Sequence, residues 1–496
     1  MRDRVKDLTT GVAIYGAGDV AINVINFLLL PAYVRILSTA DYGALLTIVS
    51  IETLLKVFNR WGVDGAFMRY FLDRKEGAPR QQFASTLAWF LLVVDGVVLA
   101  AMLAASGALG RIWSLDGGYV LALRLMLVNA FLMAFTFIPF HVMRIQRQAA
   151  TYSALTFARS LATLLLRIVF VIQWRMGIVG YFATDLLVTV AIWLVLWRWC
   201  RGLIRPAFSL ADLRTSLRFG LPRLPSGLAQ QYFDSGNKLL FAHRAPLSAA
   251  GVYQNATTLG SAVKYFLAAF ETAWAPFYYA TAKQPDARDV FRKMTTYGVA
   301  VLVLLVAGIT AVAADIVHLM LTPAYFDAIP IVPVIALGFA FQGVYLLTSI
   351  GLNLSGRTEF YSITTIVSAI VGLGAGLTLM PTYGAMGAAI AFLLSFATQA
   401  LLGWWFARRL YPVPYEAQRI VRLVLAGGVA TLAVVTFTPV MPAALSFLVR
   451  GTAVVAIYAL LLWATGFFRP TELRFLREMT LRLRRRSSRQ VPTSAE

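Results

Sequence analysis

The sequence has little charge, almost no cysteine and few histidines. Only 14% of its 496 residues are charged, against about 25% in an average soluble domain. The single cysteine, Cys200, excludes an internal disulfide, and the three scattered histidines form no recognisable metal or hydrolase motif. The sequence also lacks a Gly-x4-Gly-Lys phosphate-binding loop. We therefore expect no enzyme activity, no bound cofactor and no ATP-driven step.

Apolar residues, in contrast, are abundant, at 59% of the sequence with a mean hydropathy of +0.72. Runs of about 20 apolar residues are long enough to cross a bilayer as helices. Fourteen such spans are predicted, at residues 12–33, 42–63, 83–109, 118–142, 153–174, 178–199, 219–241, 250–280, 295–320, 329–354, 360–381, 384–407, 418–438 and 443–466. The connections between them are short. The fold class is therefore an all-α polytopic membrane protein, whose first span we expect to stay uncleaved.

The net charge of +21 is unevenly distributed along the chain. Lysine and arginine concentrate in alternate connections and in the tail that follows residue 469. The positive-inside rule assigns these segments to the cytoplasm, and with them both termini. We therefore expect a multi-pass protein of the inner (plasma) membrane, and the positive charge implies no nucleic-acid partner.

Short motifs recur along the chain at offsets of 207 to 210 residues. Leu37-Ser-Thr-Ala-Asp-Tyr-Gly43 has an altered copy at Leu247-Ser-Ala-Ala-Gly-Val-Tyr253. Two shorter motifs repeat in the same register, Tyr152-Ser153 as Tyr361-Ser362 and Gly177-Ile-Val-Gly180 as Gly384-Ala-Met-Gly387. An offset of six helices gives both copies the same orientation, as in a parallel pseudo-two-fold repeat. The predicted domains are a first six-helix lobe at 1–205, a second at 206–412, two extra helices at 413–468 and a basic cytoplasmic tail at 469–496.

Ionisable side chains within membrane spans are costly, and each is a candidate for function. The predicted cationic set is Arg124, Arg159, Arg167, Lys238 and Lys264. Arg159 and Arg167 are eight residues apart and fall on one helix face. Together with the lysines of the second lobe, such cations suit a phosphate group in a cavity between the lobes. Pairing with carboxylates, or snorkelling to the interface, is the alternative for each of them.

Other polar residues are assigned to three further roles. Asn23, Asn26, Gln254 and Asn255 suit sugar hydroxyls, although hydrogen bonds between helices explain them equally well. Asp19, Asp64 and Glu271 are candidates for H⁺ or Na⁺ coupling. Arg35 and Arg244 are predicted to form a matched pair of cations at the outer rim. Glu52 and Lys56, four residues apart, are expected to neutralise each other on one helix face.

The motifs of the chain resemble those of a known transporter family. They include the pattern Pro-x-Tyr-x-Arg-x-Leu-Ser-x-x-Asp-Tyr-Gly from Pro31 to Gly43. Further matching segments are Gly65-Ala-Phe-Met-Arg-Tyr-Phe71, Gly220-Leu-Pro222, Gly251-Val-Tyr253, Ala273-Trp-Ala-Pro-Phe277 and Leu379-Met-Pro-Thr-Tyr-Gly-Ala-Met-Gly-Ala-Ala-Ile390. Taken in order, they resemble the Wzx-type polysaccharide-biosynthesis flippases of the multidrug/oligosaccharidyl-lipid/polysaccharide (MOP) exporter superfamily.

The resemblance implies a carrier of fourteen helices in two lobes. Such proteins move an undecaprenyl-pyrophosphate-linked oligosaccharide from the cytoplasmic to the outer leaflet by alternating access, for export of a surface polysaccharide or exopolysaccharide. Membrane lipids and other polysaccharide-assembly proteins are the further partners implied. Where family members commonly have an Asp-Arg pair late in the seventh helix, this chain has Asn237-Lys238, with Asp234 one turn earlier.

Two other functions stay open at this point. A cation-coupled multidrug exporter of the same superfamily would need an anionic pocket, whereas the deep cations here are as prominent as the carboxylates. A membrane polysaccharide polymerase or ligase would need a long outward loop with catalytic residues, and the outward connections here are short.

Overall fold

A computed structural model describes residues 31–146, 148–355, 357, 359–437 and 441–469. Across these ranges the chain is helical, without strands, as predicted. Nine of the described helices are long and apolar enough to cross a membrane, and the longest contains two of the predicted spans. Most of the predicted first span and nearly all of the basic tail lie outside the described residues.

The first part of the described chain contains eight helices. They are α1 (Thr39–Phe58), α2 (Val63–Tyr70), α3 (Ala78–Ala104), α4 (Ser106–Ile112), α5 (Gly118–Phe135), α6 (Phe137–Ile145), α7 (Ala149–Arg167) and α8 (Gly177–Cys200). A π-helical segment, Ile168–Gln173, extends α7. Helix α5 packs against α3 and α8, and α7 packs along α8.

Helix α1 begins with a side-chain cap at Ser38. The Ser38 hydroxyl accepts a hydrogen bond from the backbone N–H of Asp41, and the Asp41 carboxylate accepts one from the backbone N–H of Ser38. These reciprocal bonds satisfy two of the N–H groups that a helix start leaves free. The motif therefore fixes the point at which the chain turns into α1.

The second part of the described chain contains eleven helices. They are α9 (Leu210–Gly220), α10 (Leu224–Gln231), α11 (Asn237–Arg244), α12 (Leu247–Gly260), α13 (Ala262–Thr281), α14 (Ala287–Met320), α15 (Ile331–Thr348), α16 (Ile350–Leu354), α17 (Glu359–Leu410), α18 (Ala417–Phe437) and α19 (Ala443–Ala464). Helix α17 reverses at Gly384, whose φ of 54° and ψ of −129° are not helical. This break separates the two spans predicted at 360–381 and 384–407.

The span predicted at 219–241 is a broken helix rather than a continuous one. A 3-10 turn, Leu221–Arg223, separates α9 from α10, and a π-helical segment, Tyr232–Gly236, separates α10 from α11. Pro222 and Pro225 remove two backbone donors here and so interrupt the regular helical hydrogen bonds. The backbone of this span is consequently kinked next to Asn237 and Lys238.

The two copies of the repeated motif lie directly against each other. A Cβ atom on Gly43 of α1 would collide with the backbone carbonyl of Leu247 in α12, and one on Gly251 would lie 2.5 Å from the carbonyl oxygen of Thr39. The helix backbones therefore touch, which only glycine permits at this separation. We call this crossing the outer contact, because the predicted topology places it on the outer side.

A second backbone contact lies just past the other end of α1. The turn at Trp61 and Gly62, between α1 and α2, touches Gly220 at the end of α9. A Cβ atom on Gly62 would lie 2.6 Å from Cα of Gly220. We call this the inner contact, since α2 leads to the arginine-rich connection predicted to be cytoplasmic. The lobe boundaries at 205 and 412 stay predictions.

Candidate functional site

A polar cavity of about 320 Å³ lies among α1, α5, α7 and α8. Most of its lining comes from α7. The polar and ionisable residues that line it are Glu52, Lys56, Asn129, Thr156, Arg159, Ser160, Thr163, Arg167, Tyr181 and Asp185. Since these helices include predicted membrane spans, the cavity provides polar groups where the surrounding hydrocarbon offers none.

Arg167 is held in place by two neighbours from α8. One Nη atom donates to both carboxylate oxygens of Asp185, at 2.7 and 2.9 Å. The guanidinium carbon also lies 3.6 Å from the centre of the Tyr181 ring, close enough for a cation–π interaction. Arg167 ends α7 where the π-helical segment begins, so the irregular turn lies next to the charged residue. Its charge is largely matched by Asp185.

A second ion pair lines the cavity from α1. The ammonium of Lys56 lies 3.1 Å from the Glu52 carboxylate. The spacing of one helical turn predicted this pair, and the structure confirms it. Lys56 is half-exposed, whereas Glu52 is almost fully buried. The lysine therefore neutralises a carboxylate that faces the protein interior.

Arg159 is the cavity cation that has no such match. Among the described residues, it forms no ion pair within 4.0 Å and donates no hydrogen bond. The cavity thus holds three cations, Lys56, Arg159 and Arg167, against the two carboxylates of Glu52 and Asp185. The excess positive charge lies on a guanidinium whose donors are available to a ligand.

Neutral polar groups complete the lining. The side-chain oxygen of Asn129 is buried and has no hydrogen-bond partner within the described chain. The hydroxyl groups of Thr156 and Ser160 donate to backbone carbonyls one turn earlier in α7, which leaves their oxygens able to accept. The cavity therefore offers a cation, an amide and hydroxyl acceptors close together.

The other predicted cations lie elsewhere. Lys238 is on α11 and Lys264 on α13, both half-buried and outside the lining of the polar cavity. Arg124 is exposed on α5, and its Nε donates to the Ser106 hydroxyl at 2.8 Å. The structure thus brings together only Arg159 and Arg167 from the predicted cationic set. Their cavity lies among helices of the predicted first lobe rather than between the lobes.

The predicted sugar-binding and coupling residues are also dispersed. Asn255 is fully buried on α12 and donates to the Gly251 carbonyl at 3.0 Å, whereas Gln254 is half-buried. Asp64 pairs with Arg60 at 3.4 Å, and Glu271 is exposed on α13. Asp19, Asn23 and Asn26 lie outside the described residues. Arg35 and Arg244 both have exposed side chains, and their role as a rim stays a prediction.

Six polar residues of the cavity lining had no assigned role in the sequence, namely Asn129, Thr156, Ser160, Thr163, Tyr181 and Asp185. Asp185 is 18 residues from Arg167, a separation that crosses the turn between α7 and α8. A carboxylate and an arginine at comparable depth in consecutive antiparallel spans are a signal that the sequence does offer. Within the described ranges, no group of three or more His, Cys, Asp or Glu residues is arranged to hold a metal.

A much larger, apolar groove lies in the second part of the chain. Its volume is about 1220 Å³, above the range of about 300–1,000 Å³ usual for small-molecule pockets. Helices α14, α15, α17 and α18 line it, mostly with apolar side chains, among them Leu302, Val306, Phe341, Val424 and Leu432. Arg408 and Tyr415 stand at one end. The groove therefore suits a long hydrocarbon chain.

Known structures share this arrangement of helices. A structure described as "Lipid II flippase MurJ, inward closed conformation" aligns with a TM-score of 0.71 and 12% identity over 90% of this chain and 98% of the other. An inward-facing multidrug-resistance MATE transporter of the MOP superfamily aligns with a TM-score of 0.59 and 19% identity, over 81% of this chain and 95% of the other. A point mutant of the MATE transporter VcmN of Vibrio cholerae aligns with a TM-score of 0.54 and 14% identity, over 82% of this chain and 96% of the other.

The chain therefore shares the fold of these transporters, and its nine long apolar helices indicate a multi-pass membrane protein. A family model described as "Polysaccharide biosynthesis protein" matches residues 33–330, more than half of the chain. The protein therefore belongs to the polysaccharide biosynthesis protein family. A search of curated protein sequences gives no match.

Proposed function

We propose that this protein is a flippase that carries an undecaprenyl-pyrophosphate-linked oligosaccharide from the cytoplasmic to the outer leaflet of the inner membrane. The observation that carries the proposal is the unmatched guanidinium of Arg159 in the polar cavity. An anionic group would complete the charge balance there, and a pyrophosphate offers the oxygens that guanidinium donors bind in pairs. Membership of a polysaccharide biosynthesis family favours a lipid-linked sugar as the molecule that carries this pyrophosphate.

The neutral groups of the cavity fit the first sugar of such a substrate. Sugar hydroxyls both donate and accept hydrogen bonds. They can donate to the free Asn129 oxygen and to the hydroxyl oxygens of Thr156 and Ser160. Moving hydroxyl groups through about 30 Å of hydrocarbon without such partners is very costly. The cavity lowers this cost by replacing water around the head of the lipid.

The apolar groove fits the other part of the substrate. A polyprenyl tail carries no polar atoms and is favoured by the aliphatic lining of α14, α15, α17 and α18. In this proposal the tail lies in the groove and the pyrophosphate in the cavity. Alternate opening of the outer contact and the inner contact would make the cavity accessible from each leaflet in turn.

The proposal is tested in cells that lack the gene and carry a variant instead. Arg159→Ala removes the unmatched cation, so we expect at least tenfold less exported polymer, with lipid-linked repeat units accumulating on the cytoplasmic leaflet. Arg214→Ala, at an exposed arginine of α9, serves as the matched control and should export normally. Arg159→Lys keeps the charge without the paired donors and should export at an intermediate level.

Two results would overturn the proposal. The first is normal polymer export by Arg159→Ala at unchanged protein abundance. The second is drug resistance on expression without any accumulation of lipid-linked repeat units on deletion, which would indicate the multidrug exporter.

A further inference from the structure

A carboxyl group that the proposed transport site does not use is buried in α3. Asp95 is only 2% exposed, and its sequence neighbours on both sides, Leu91 to Val94 and Val97 to Leu99, are apolar. One carboxyl oxygen accepts a hydrogen bond from the indole N–H of Trp61 at 3.2 Å. The other oxygen is buried and has no hydrogen-bond partner among the described residues.

Within the part of the chain that the structure describes, no charged group balances Asp95. The elements around α3 do carry titratable residues, namely Arg60, Asp64 and Arg69 near the Trp61 turn, Arg111 on α4, Arg124 on α5, His141 on α6, and Asp212, Arg214 and Arg218 on α9. None of these forms an ion pair with Asp95 within 4.0 Å; Asp64 pairs with Arg60, and Asp212 with Arg74. A lone carboxylate is costly in such surroundings, which favours the protonated form of this group.

The indole that reaches Asp95 belongs to an unusual turn. Trp61 has a φ of 48° and Gly62 a φ of 68°, both in the left-handed region that a bulky residue such as tryptophan rarely adopts. The Trp61 ring also packs edge-on against Phe90, with ring centres 6.4 Å apart. The hydrogen bond to Asp95 and this ring contact therefore hold the turn against α3.

The other side of the same turn forms the inner contact. A Cβ atom on Gly220 would lie 2.7 Å from the carbonyl oxygen of Trp61 and 2.8 Å from the backbone of Gly62. The backbones of α9 and of the turn are therefore in direct contact at Gly220. Asp95 is linked through one side chain to the contact between the two predicted lobes.

We propose that Asp95 is a proton-binding site that controls the inner contact. The neutral carboxyl fits its dry pocket and holds the Trp61 turn against Gly220. Loss of the proton leaves an anion with one hydrogen bond, and water must enter between α3 and the turn to solvate it. The turn then moves, and the inner contact opens. By reciprocity, opening this contact from the cytoplasmic side favours release of the proton.

The proposal is tested by measuring a distance rather than transport, so its outcome is independent of the substrate. Spin labels are placed at the exposed positions Leu72 and Leu210, on either side of the inner contact, in the full-length protein with Cys200→Ser. Double electron–electron resonance then gives the populations of short and long distances between pH 5 and pH 9. We expect the ratio of the long-distance to the short-distance population to rise with pH. The rise is at most about tenfold per pH unit, because a single proton is released.

Two variants separate Asp95 from other titrating groups. Asp95→Asn has the shape of the neutral acid and should keep the short distance at every pH. Trp61→Phe retains a ring beside Phe90 but loses the indole donor, and should remove most of the pH dependence. A rise of the long distance with pH in Asp95→Asn equal to that in the parent would overturn the proposal, and so would a parent distance that does not change with pH.

Discussion

The polar cavity and the apolar groove differ in almost every property. The polar cavity, about 320 Å³, lies among helices of the first 200 residues and holds five ionisable groups besides Tyr181. The groove, about 1220 Å³, lies among helices between residues 287 and 437 and is lined almost entirely by apolar side chains. The two regions therefore offer opposite environments to a ligand. One half suits a charged head and the other a hydrocarbon tail.

The difference also concerns how each region is stabilised. The polar cavity depends on specific partners, since Arg167 is stabilised by Asp185 and Tyr181. The stability of the groove depends on the apolar area that its helices bury, because aliphatic contacts have no fixed direction. We therefore expect single substitutions to disrupt the first region strongly and the second only where they change its shape.

The largest effect is expected from Asp185→Asn. This variant leaves the Arg167 guanidinium, only 12% exposed, without its carboxylate. Removing one partner of a buried ion pair typically costs about 3–5 kcal/mol, and we expect a loss of that size in the free energy of unfolding measured in detergent micelles.

Asp289→Asn is the control for this prediction. It breaks a pair with Arg292 in which Asp289 is 56% exposed, and exposed pairs are worth only about 0–1 kcal/mol. Equal losses in both variants would show that the cavity does not depend on its ion pair.

A smaller effect is expected from Val424→Trp in the groove. Val424 is exposed on α18 and lines the groove, so the larger side chain takes space from a tail without changing polarity. We expect transport of a full-length polyprenyl substrate to fall severalfold while a short-chain analogue is carried normally. The measurement compares both substrates in proteoliposomes.

Val429→Trp gives the matched control. It lies on the same helix, is exposed to a similar extent and is not part of the groove lining. A fall of equal size in both variants, or equal loss of the two substrates in Val424→Trp, would contradict the assignment of the groove to the tail.

Features that depend on local sequence could be predicted. The cap at Ser38, the Glu52–Lys56 pair and the break at Gly384 all follow from residues within a few positions of each other. The spans themselves follow from the length of apolar runs, which the bilayer thickness fixes. The shared cavity of Arg159 and Arg167 agrees with their spacing along one helix.

Features that depend on packing between distant segments could not be predicted. Asp185 and Arg167 meet because α7 and α8 turn back on each other, and helix periodicity does not give the rotation of one helix against the next. For the same reason, the sequence did not predict that Lys238 and Lys264 lie outside the polar cavity. The inner contact joins residues more than 150 positions apart, and the sequence marks it only by two glycines, Gly62 and Gly220.

The most direct test of the proposed transport is a flipping assay with the purified protein. The protein is reconstituted into liposomes that contain an undecaprenyl-pyrophosphate-linked oligosaccharide, and a sugar-modifying enzyme added outside reports how much of the lipid becomes accessible over time. Our account predicts that the wild-type protein exposes the inner pool of the lipid, whereas Arg159→Ala exposes no more than empty liposomes do. Equal exposure by the two proteins, or none by the wild-type protein, would contradict it.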